Sequence, residues 1–341
     1  MFPPLTSPPS MLAVVISRPG GPEVLEVRDV STPEPGPGEV LVRVRASALN
    51  RADLLQREGR YPAPPGAPAN IPGLEFAGEV ARLGAGVAGW SVGDRVFGLV
   101  AGGAHAEYLV THERTLAAVP PSLDWREAAA VPEAFVTAHD ALVERAAVRP
   151  AERVLVHAAG SGVGLAALQL ARLLGAIPYG TARTAEKLER ARDFGMEDGV
   201  ALPSGGLAPL AERVHAWTGG RGVDVVLDLV GGAYVAAGIA ALAQKGRLVL
   251  IGTVAGRRAD VDLGQVLSRR LTIRGTVLRA RPLEEKILAA RAFAAEVVPF
   301  LASRRLRPVI DSVFPLDDVA AAHERLAGNQ TFGKVVLDVA P

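Results

Sequence analysis

The residues with the clearest chemical meaning lie between Arg153 and Gly175, in RVLVHAAGSGVGLAALQLARLLG. A turn of small residues, Ala158-Ala159-Gly160-Ser161-Gly162, separates a short apolar run from a stretch with helical periodicity. Such a turn lets backbone approach a pyrophosphate, and the helix after it presents free N–H groups and the positive end of its dipole. The expected phosphate contacts are Gly160, Ser161, Gly162 and Val163. Two registers fit the glycine fingerprint. If the helix starts at Val163-Gly164-Leu165, the three slots read Ala159, Ser161 and Gly164; a slipped register reads Gly162, Gly164 and Ala167. A lone turn of this kind is also compatible with an ordinary strand-to-helix connection that binds nothing.

A second group bears on which dinucleotide is bound. Enzymes that use NAD place an Asp or Glu about 20 residues past the glycines, to accept the ribose 2′-hydroxyl. Here the second strand ends Gly180-Thr181-Ala182-Arg183, followed by Thr184-Ala185-Glu186-Lys187. No acid stands at the strand end. Arg183, Thr184 and Lys187 suit a 2′-phosphate instead, by charge and hydrogen bond, so NADPH is the expected cofactor. Metal chemistry has no comparable signal. There is no cysteine, and the six histidines (His105, His112, His139, His157, His215 and His323) include no pair at ligand spacing on one predicted helix.

The elements that must position these groups fall into two styles. Residues 11 to about 120 read as β-rich, with short strands at 11–16, 24–28, 40–45, 79–82, 95–100 and 106–111 separated by Pro and Gly. From Arg153 to Thr276 the pattern becomes strand–helix alternation, a doubly wound parallel sheet. Its strands are expected at 154–156, 177–182, 223–230, 247–252 and 271–276, and its helices at 184–194, 207–217 and 233–243. Pro178 cannot donate to a ladder and should sit at the start of its strand. A long helix follows from 282 to about 303, then short strands. The chain of 341 residues is 49% hydrophobic, enough for two cores. With 37 basic and 36 acidic residues its net charge is +1, which gives no footprint for nucleic acid or an anionic membrane. No apolar run is long enough to span a bilayer. MFPPLTSPPS at the start reads as a disordered extension, not a signal peptide, and a cytoplasmic enzyme is the simplest setting.

Several separated stretches resemble one family: MLAVVISRPGGPE (11–23), ASALNRADLLQREGRYP (46–62), PGLEFAGEV (72–80), AFVTAHDAL (134–142), residues 154–176, LDLVGG (227–232) and FGKVVL (332–337). Together they resemble the zinc-independent quinone oxidoreductases of the medium-chain dehydrogenase/reductase superfamily, near zeta-crystallin and nearest the stress-inducible subgroup. The resemblance implies an α/β fold with a GroES-like β-rich catalytic domain and a doubly wound Rossmann domain. The implied boundaries are 11–130, 131–278 for the NADPH-binding domain, and 279–341 for a return to the catalytic domain.

The same resemblance assigns residues. Where zinc-dependent relatives carry a Cys and a Gly-His-Glu motif, this chain resembles them with Asn50 and Gly73-Leu74-Glu75, so no metal is expected. Asn50 and Thr137 would border the cofactor, with its nicotinamide end expected between the domains. Val230, Ile251, Gly252 and Thr253 would meet it at the carboxyl edge of the sheet, and Leu278, Arg279, Phe332 and Lys334 further on, Lys334 as a second phosphate contact. Asn50, Asp53 and Tyr61 lie in the segment that resembles the active-site wall: Asn50 to polarise a carbonyl, Tyr61 to pack on a planar acceptor and hydrogen-bond its oxygen. Asp53 has a structural role open to it as well, as a helix cap. No residue looks like a dedicated general acid.

Without a Lewis acid, hydride transfer favours an acceptor that is already electrophilic. NADPH-dependent quinone reduction is therefore the expected activity. Reduction of α,β-unsaturated carbonyls or enoyl thioesters is the alternative, and a weakly catalytic NADPH-binding structural or RNA-binding role the second. An exposed edge at Leu271–Thr276, together with the family resemblance, implies a homodimer.

Overall fold

A computed structural model describes residues 8–203 and 206–339. Most of the N-terminal extension, residues 1–7, lies outside the described residues; of its remainder, Ser10 already opens the first strand. The chain divides into two compact units, Met1–Val136 with Leu278–Pro341, and Thr137–Val277.

The first unit is built on sheets. Strands β1 (Ser10–Ile16) and β2 (Leu25–Ser31) form an antiparallel pair. A seven-stranded sheet contains β3 (Glu39–Leu49), β4 (Glu75–Leu83), β5 (Arg95–Leu99), β6 (Tyr108–His112) and β7 (Leu116–Ala118). The C-terminal return adds β14 (Ile310–Pro315) and β15 (Lys334–Asp338), giving the order β14-β15-β3-β4-β5-β7 with β6 also paired to β3. The return thus completes a sheet begun nearly 300 residues earlier, as β15 pairs antiparallel with β3 from Val335↔Leu49 to Asp338↔Ala46. Alternation on β3 works as read: Val40, Val42 and Val44 are fully buried, while Arg43 and Arg45 are half-buried. Two register shifts against β4 let the strand continue to Leu49, past its expected end at 45. Phe76, Val80 and Leu337 join these valines in one core.

Short helices punctuate this unit: α1 (Arg51–Arg57), α2 (Trp125–Ala129), α3 (Pro132–His139, which runs into the second unit) and α11 (Val319–Ala327). The single helix expected over 282–303 is two, α9 (Leu283–Glu296) and α10 (Val298–Ala302). Pro299 has no N–H for the helical ladder, and it sits at the start of α10, where none is needed.

The second unit is a six-stranded, wholly parallel sheet of order β10-β9-β8-β11-β12-β13. Its strands are β8 (Arg153–Val156), β9 (Ile177–Ala182), β10 (Asp198–Ala201), β11 (Val223–Asp228), β12 (Leu242–Leu250) and β13 (Thr272–Gly275). Helices α4 (Gly162–Leu173), α5 (Ala185–Arg192), α6 (Ala208–Thr218), α7 (Ala233–Ala241) and α8 (Leu263–Ser268) connect them. Strand β8 lies inside the sheet, which is why Val154, Leu155 and Val156 are all fully buried rather than alternating. Pro178 stands second in β9, opposite Val154, and its carbonyl accepts the Glu197 N–H at 2.8 Å. No helix among the described residues is long and apolar enough to cross a membrane.

Candidate active site

The dinucleotide side is built at the carboxyl edge of the second unit's sheet. After β8 the chain turns at Ala158, whose φ is +54°. Ser161 then caps α4: its hydroxyl accepts the Gly164 N–H at 3.1 Å and donates to the Ala158 carbonyl at 2.8 Å. The register with Ala159, Ser161 and Gly164 in the slots is the one that forms, with α4 beginning at Gly162. A Cβ on Gly164 would lie 2.4 Å from the Ala158 oxygen, so only glycine lets the helix start this close to the turn. On β9, Gly180 keeps its neighbour similarly close, as a Cβ there would fall 2.8 Å from the Ala159 Cβ. The N–H groups of Gly162 and Val163 have no acceptor among the described residues. That is the donor set a pyrophosphate needs.

At the end of β9 the side chains diverge. Thr181 is buried, with its hydroxyl 3.0 Å from His157 Nδ1, so its side chain serves the sheet interior rather than a ligand. Arg183 is exposed, and no hydrogen bond or ion pair holds its guanidinium among the described residues. Thr184 caps α5, its hydroxyl 3.4 Å from the Lys187 N–H. The loops after β11 and β12 are locked together. Asp228 Oδ1 accepts the N–H groups of Val230 and Gly231, both at 2.8 Å, and its carbonyl accepts those of Ile251 and Gly252. Thr253 follows directly in that loop, beside Gly231, whose added Cβ would lie 2.8 Å from the Thr253 Cα. His157 packs edge-on against Tyr234 with ring centroids 5.0 Å apart, and burial pushes its pKa down to about 3, so it is a neutral core histidine. Thr137 is almost buried at the start of the unit.

In the first unit the expected wall residues belong to a buried polar network. Asn50 caps α1, and its N–H donates to Asp53 Oδ2 at 2.7 Å. The other Asp53 oxygen accepts the Gly73 N–H at 3.0 Å. With both oxygens held and no exposure, Asp53 is a cap and loop clamp; the catalytic role expected for it is corrected to this one. Asn50 Nδ2 donates to Glu75 Oε1 at 2.8 Å, and Asn50 Oδ1 accepts from Lys334 Nζ at 2.6 Å. Lys334 also donates to the Leu49 carbonyl at 2.8 Å and pairs with Glu75 Oε1 at 2.6 Å. Glu75 Oε2 accepts the Glu133 N–H at 2.8 Å, at the start of α3. Lys334 is therefore an internal counter-ion, and the phosphate contact expected of it is corrected: its ammonium is buried among three oxygens. Phe332 is likewise core, 1% exposed, its N–H donating to Asp311 Oδ1 at 2.8 Å.

Arg279 is neither on the surface nor free. It donates to the Ala101 carbonyl (2.8 Å), the Tyr61 carbonyl (3.2 Å) and Gln56 Oε1 (2.6 Å), and its guanidinium lies 4.9 Å from the centroid of the Tyr61 ring. Tyr61 is half-buried, and burial pushes its phenol above the ordinary range. The Tyr61 hydroxyl has no partner among the described residues.

Beside this network lies a pocket. Its walls are apolar, with Leu74, Phe97, Val136, Leu278 and Phe293 among them. Phe97 and Phe293 meet edge to face, centroids 5.5 Å apart. Its charged groups are Glu133, Arg279 and Lys286. Leu278, expected at the cofactor, lines this pocket. Sequence reading passed over Glu133, because an acid after Pro at a helix start ordinarily just complements the dipole. It also passed over Glu75 as an ion-pair partner.

The donors around Asn50 do not fit zinc. The amide is engaged at both ends, Leu74 is a hydrocarbon, and Glu75 already holds an ammonium. Among the described residues no group of three or more His, Asp or Glu side chains is placed to hold a metal ion. The turn at Gly162 and Val163 with Arg183 nearby in sequence does fit a phosphorylated dinucleotide.

Two family models match the chain. The family described as zinc-binding dehydrogenase matches residues 162–295, and the alcohol dehydrogenase GroES-like domain matches residues 36–121. The chain is 37% identical over 322 residues to a quinone oxidoreductase of Pseudomonas aeruginosa, covering 93% of this chain and 96% of that one. It is 35% identical over 334 residues to a phthioceranic/hydroxyphthioceranic acid synthase of Mycobacterium bovis, covering 97% of this chain but 15% of the synthase. A mycobacterial protein solved in complex with NADPH superposes with a TM-score of 0.87 at 32% identity, covering 97% of this chain and all of the other.

Proposed function

We propose that this chain, which belongs to the quinone oxidoreductase family of the medium-chain dehydrogenase/reductase superfamily, reduces quinones and does so without a metal. It is an oxidoreductase, and NADPH is its cofactor. When bound, NADPH supplies a hydride from its nicotinamide ring. The chain's own residues bind and orient. The N–H groups of Gly162 and Val163 take the pyrophosphate, and Arg183 takes the 2′-phosphate with a charge-assisted bond. Gly160, Gly180, Val230, Ile251, Gly252 and Thr253 supply backbone along the cofactor's path, with Thr137 near its reactive end. Tyr61 offers its uncommitted hydroxyl to the acceptor.

The observation that carries the choice of a quinone is the pocket beside Leu74 and Phe97. Apolar, partly aromatic walls suit a ring-shaped acceptor, and the neighbouring donor set holds an ammonium where a Lewis acid would be needed to activate an alcohol. Orientation of an already electrophilic acceptor then lowers most of the barrier. The similarity to a segment of an acid synthase supports a second reading, reduction of an α,β-unsaturated carbonyl.

Chelator-treated protein is expected to oxidise NADPH in the presence of 1,4-benzoquinone, with NADH a poorer donor. Arg183→Ala should raise the KM for NADPH about tenfold, the loss of one exposed charge-assisted contact, and leave that for NADH unchanged. Turnover of a 2-alkenal alone would move the protein to the second reading. Loss of quinone turnover on chelation would refute the metal-free one.

We also propose a homodimer formed along β13, an outer strand of its sheet, where Ile273 is 44% exposed. Sedimentation should give twice the chain mass of 35.5 kDa. A single-chain mass at micromolar concentration would refute it.

A further inference from the structure

The quinone reading leaves one chemical requirement without a named residue, because the reduced acceptor must gain a proton as well as a hydride. Glu133 is the group placed to give it. It stands in the first turn of α3, directly after Pro132, and it lines the apolar pocket with Leu74, Phe97 and Phe293. Its backbone N–H is engaged with Glu75, which fixes where the side chain starts. Among the described residues no hydrogen bond or ion pair reaches its carboxyl group. Such a group cannot remain charged in an apolar pocket at low cost.

The charged groups around it pull in both directions, and the balance raises its pKa. Glu75 on β4 and Asp53 on α1 oppose a negative charge on Glu133. Lys334 on β15 favours one, but it is already paired with Glu75 at 2.6 Å. Arg279, in the segment after β13, favours one too, but its donors are engaged with Ala101, Tyr61 and Gln56. Lys286 on α9 shares the pocket without forming an ion pair to Glu133, and burial pushes its own pKa down. Tyr61 interacts with Glu133 and is itself pushed toward the neutral form by burial. Burial first, and Glu75 second, push the Glu133 pKa up to about 8. Glu133 keeps part of its surface in solvent, and the raised pKa favours its neutral, proton-carrying form near pH 7.

We propose that Glu133 is the general acid of acceptor reduction, protonating the oxygen of the acceptor held in this pocket. The proposal rests on the quinone reading. The balance is complete within it: the acceptor gains a hydride and its two electrons from NADPH, which is oxidised to NADP⁺. The Glu133 O–H bond breaks, an O–H bond forms on the acceptor, and the hydroquinone leaves. Water then returns a proton to the carboxylate. Because the acid form is active, turnover should hold below pH 8 and fall as pH rises through it.

The pocket also predicts which quinones depend on the acid. The anion from 1,4-benzoquinone is well stabilised and can wait for a proton from water. Tetramethyl-1,4-benzoquinone gives a more basic oxygen and a weaker hydride acceptor, so it should need Glu133 more.

The test compares the parent enzyme with Glu133→Gln, which keeps the shape and the backbone bond to Glu75 but has no proton to give. With tetramethyl-1,4-benzoquinone, kcat/KM should fall about a hundredfold, within the usual range for general acids. With 1,4-benzoquinone it should fall much less, and NADPH binding should be unchanged. The parent's activity should decline above pH 8, and that decline should vanish in Glu133→Gln. Glu133→Asp, a second variant that retains an acid, should recover part of the rate with the pH decline restored. Equal losses on both quinones, or a pH profile shared by parent and Glu133→Gln, would overturn the role while leaving the quinone reading intact. If the parent itself turned over neither quinone, the quinone reading would fail first.

Discussion

Lys334→Met is expected to destabilise the protein by about 3–5 kcal/mol, the usual cost of stranding one member of a buried ion pair. The Lys334 side chain is 6% exposed and that of Glu75 fully buried, and their contact is 2.6 Å. Methionine fills nearly the same volume, so packing changes little. What changes is that Glu75 loses its cation and Asn50 Oδ1 and the Leu49 carbonyl lose their donor. The Glu133 N–H and Asn50 Nδ2 still reach Glu75, which limits the loss to this range. Denaturant titration measures it directly, as a lower midpoint with the same slope. A double variant with Glu75→Gln should recover a large part, because the stranded charge is then gone. A single-variant loss under 1 kcal/mol would mean that the pair is solvated rather than buried.

Gly164→Ala should have the second large effect, in the other unit. Its Cβ would fall 2.4 Å from the Ala158 oxygen and 2.9 Å from the Ala159 Cα, both backbone atoms that cannot rotate away. Either the turn or the first turn of α4 must move. The expected cost is about 1–3 kcal/mol of stability. Affinity for NADPH should fall further than that, by at least tenfold, since the N–H groups of Gly162 and Val163 move with the helix. Gly328→Ala is the control: its added Cβ would make ordinary contacts, 3.5 Å at the nearest, in an αR backbone with φ −61°. It should leave both stability and NADPH binding within error. Unchanged NADPH affinity in Gly164→Ala would remove this turn from the cofactor site.

The two variants also divide what was legible in the chain. The strand–turn–helix at Arg153 to Gly175 is local, and local rules are enough for it: an apolar run, small residues, then a period near 3.6. Sequence spacing left two registers for its glycines, and the structure chose the one in which Ser161 caps α4 and Gly164 makes the close approach. The parallel sheet is legible for the same reason, because each βα unit carries its own pattern. So is the choice of a phosphorylated dinucleotide, which rests on basic residues and a missing acid within a few positions of Ala182.

The first unit's chemistry is not local, and there the sequence fell short. Lys334 reads as a free cation near the C-terminus until β15 pairs with β3 and carries it to Asn50 and Glu75. Arg279 reads as a cofactor contact until its guanidinium is found on the carbonyl oxygens of Ala101 and Tyr61. Asp53 offered two roles, and only the position of Gly73 decided that both its oxygens are engaged in holding backbone. Glu133 carries the same letter as the many solvated glutamates of this chain. Its proton comes from desolvation and from the Glu75 carboxylate 58 residues away in sequence. Sequence by itself determined which groups exist and which turns they can make. Charge state and availability were decided only by tertiary structure, because both depend on how far water is excluded and on which distant partners pack alongside.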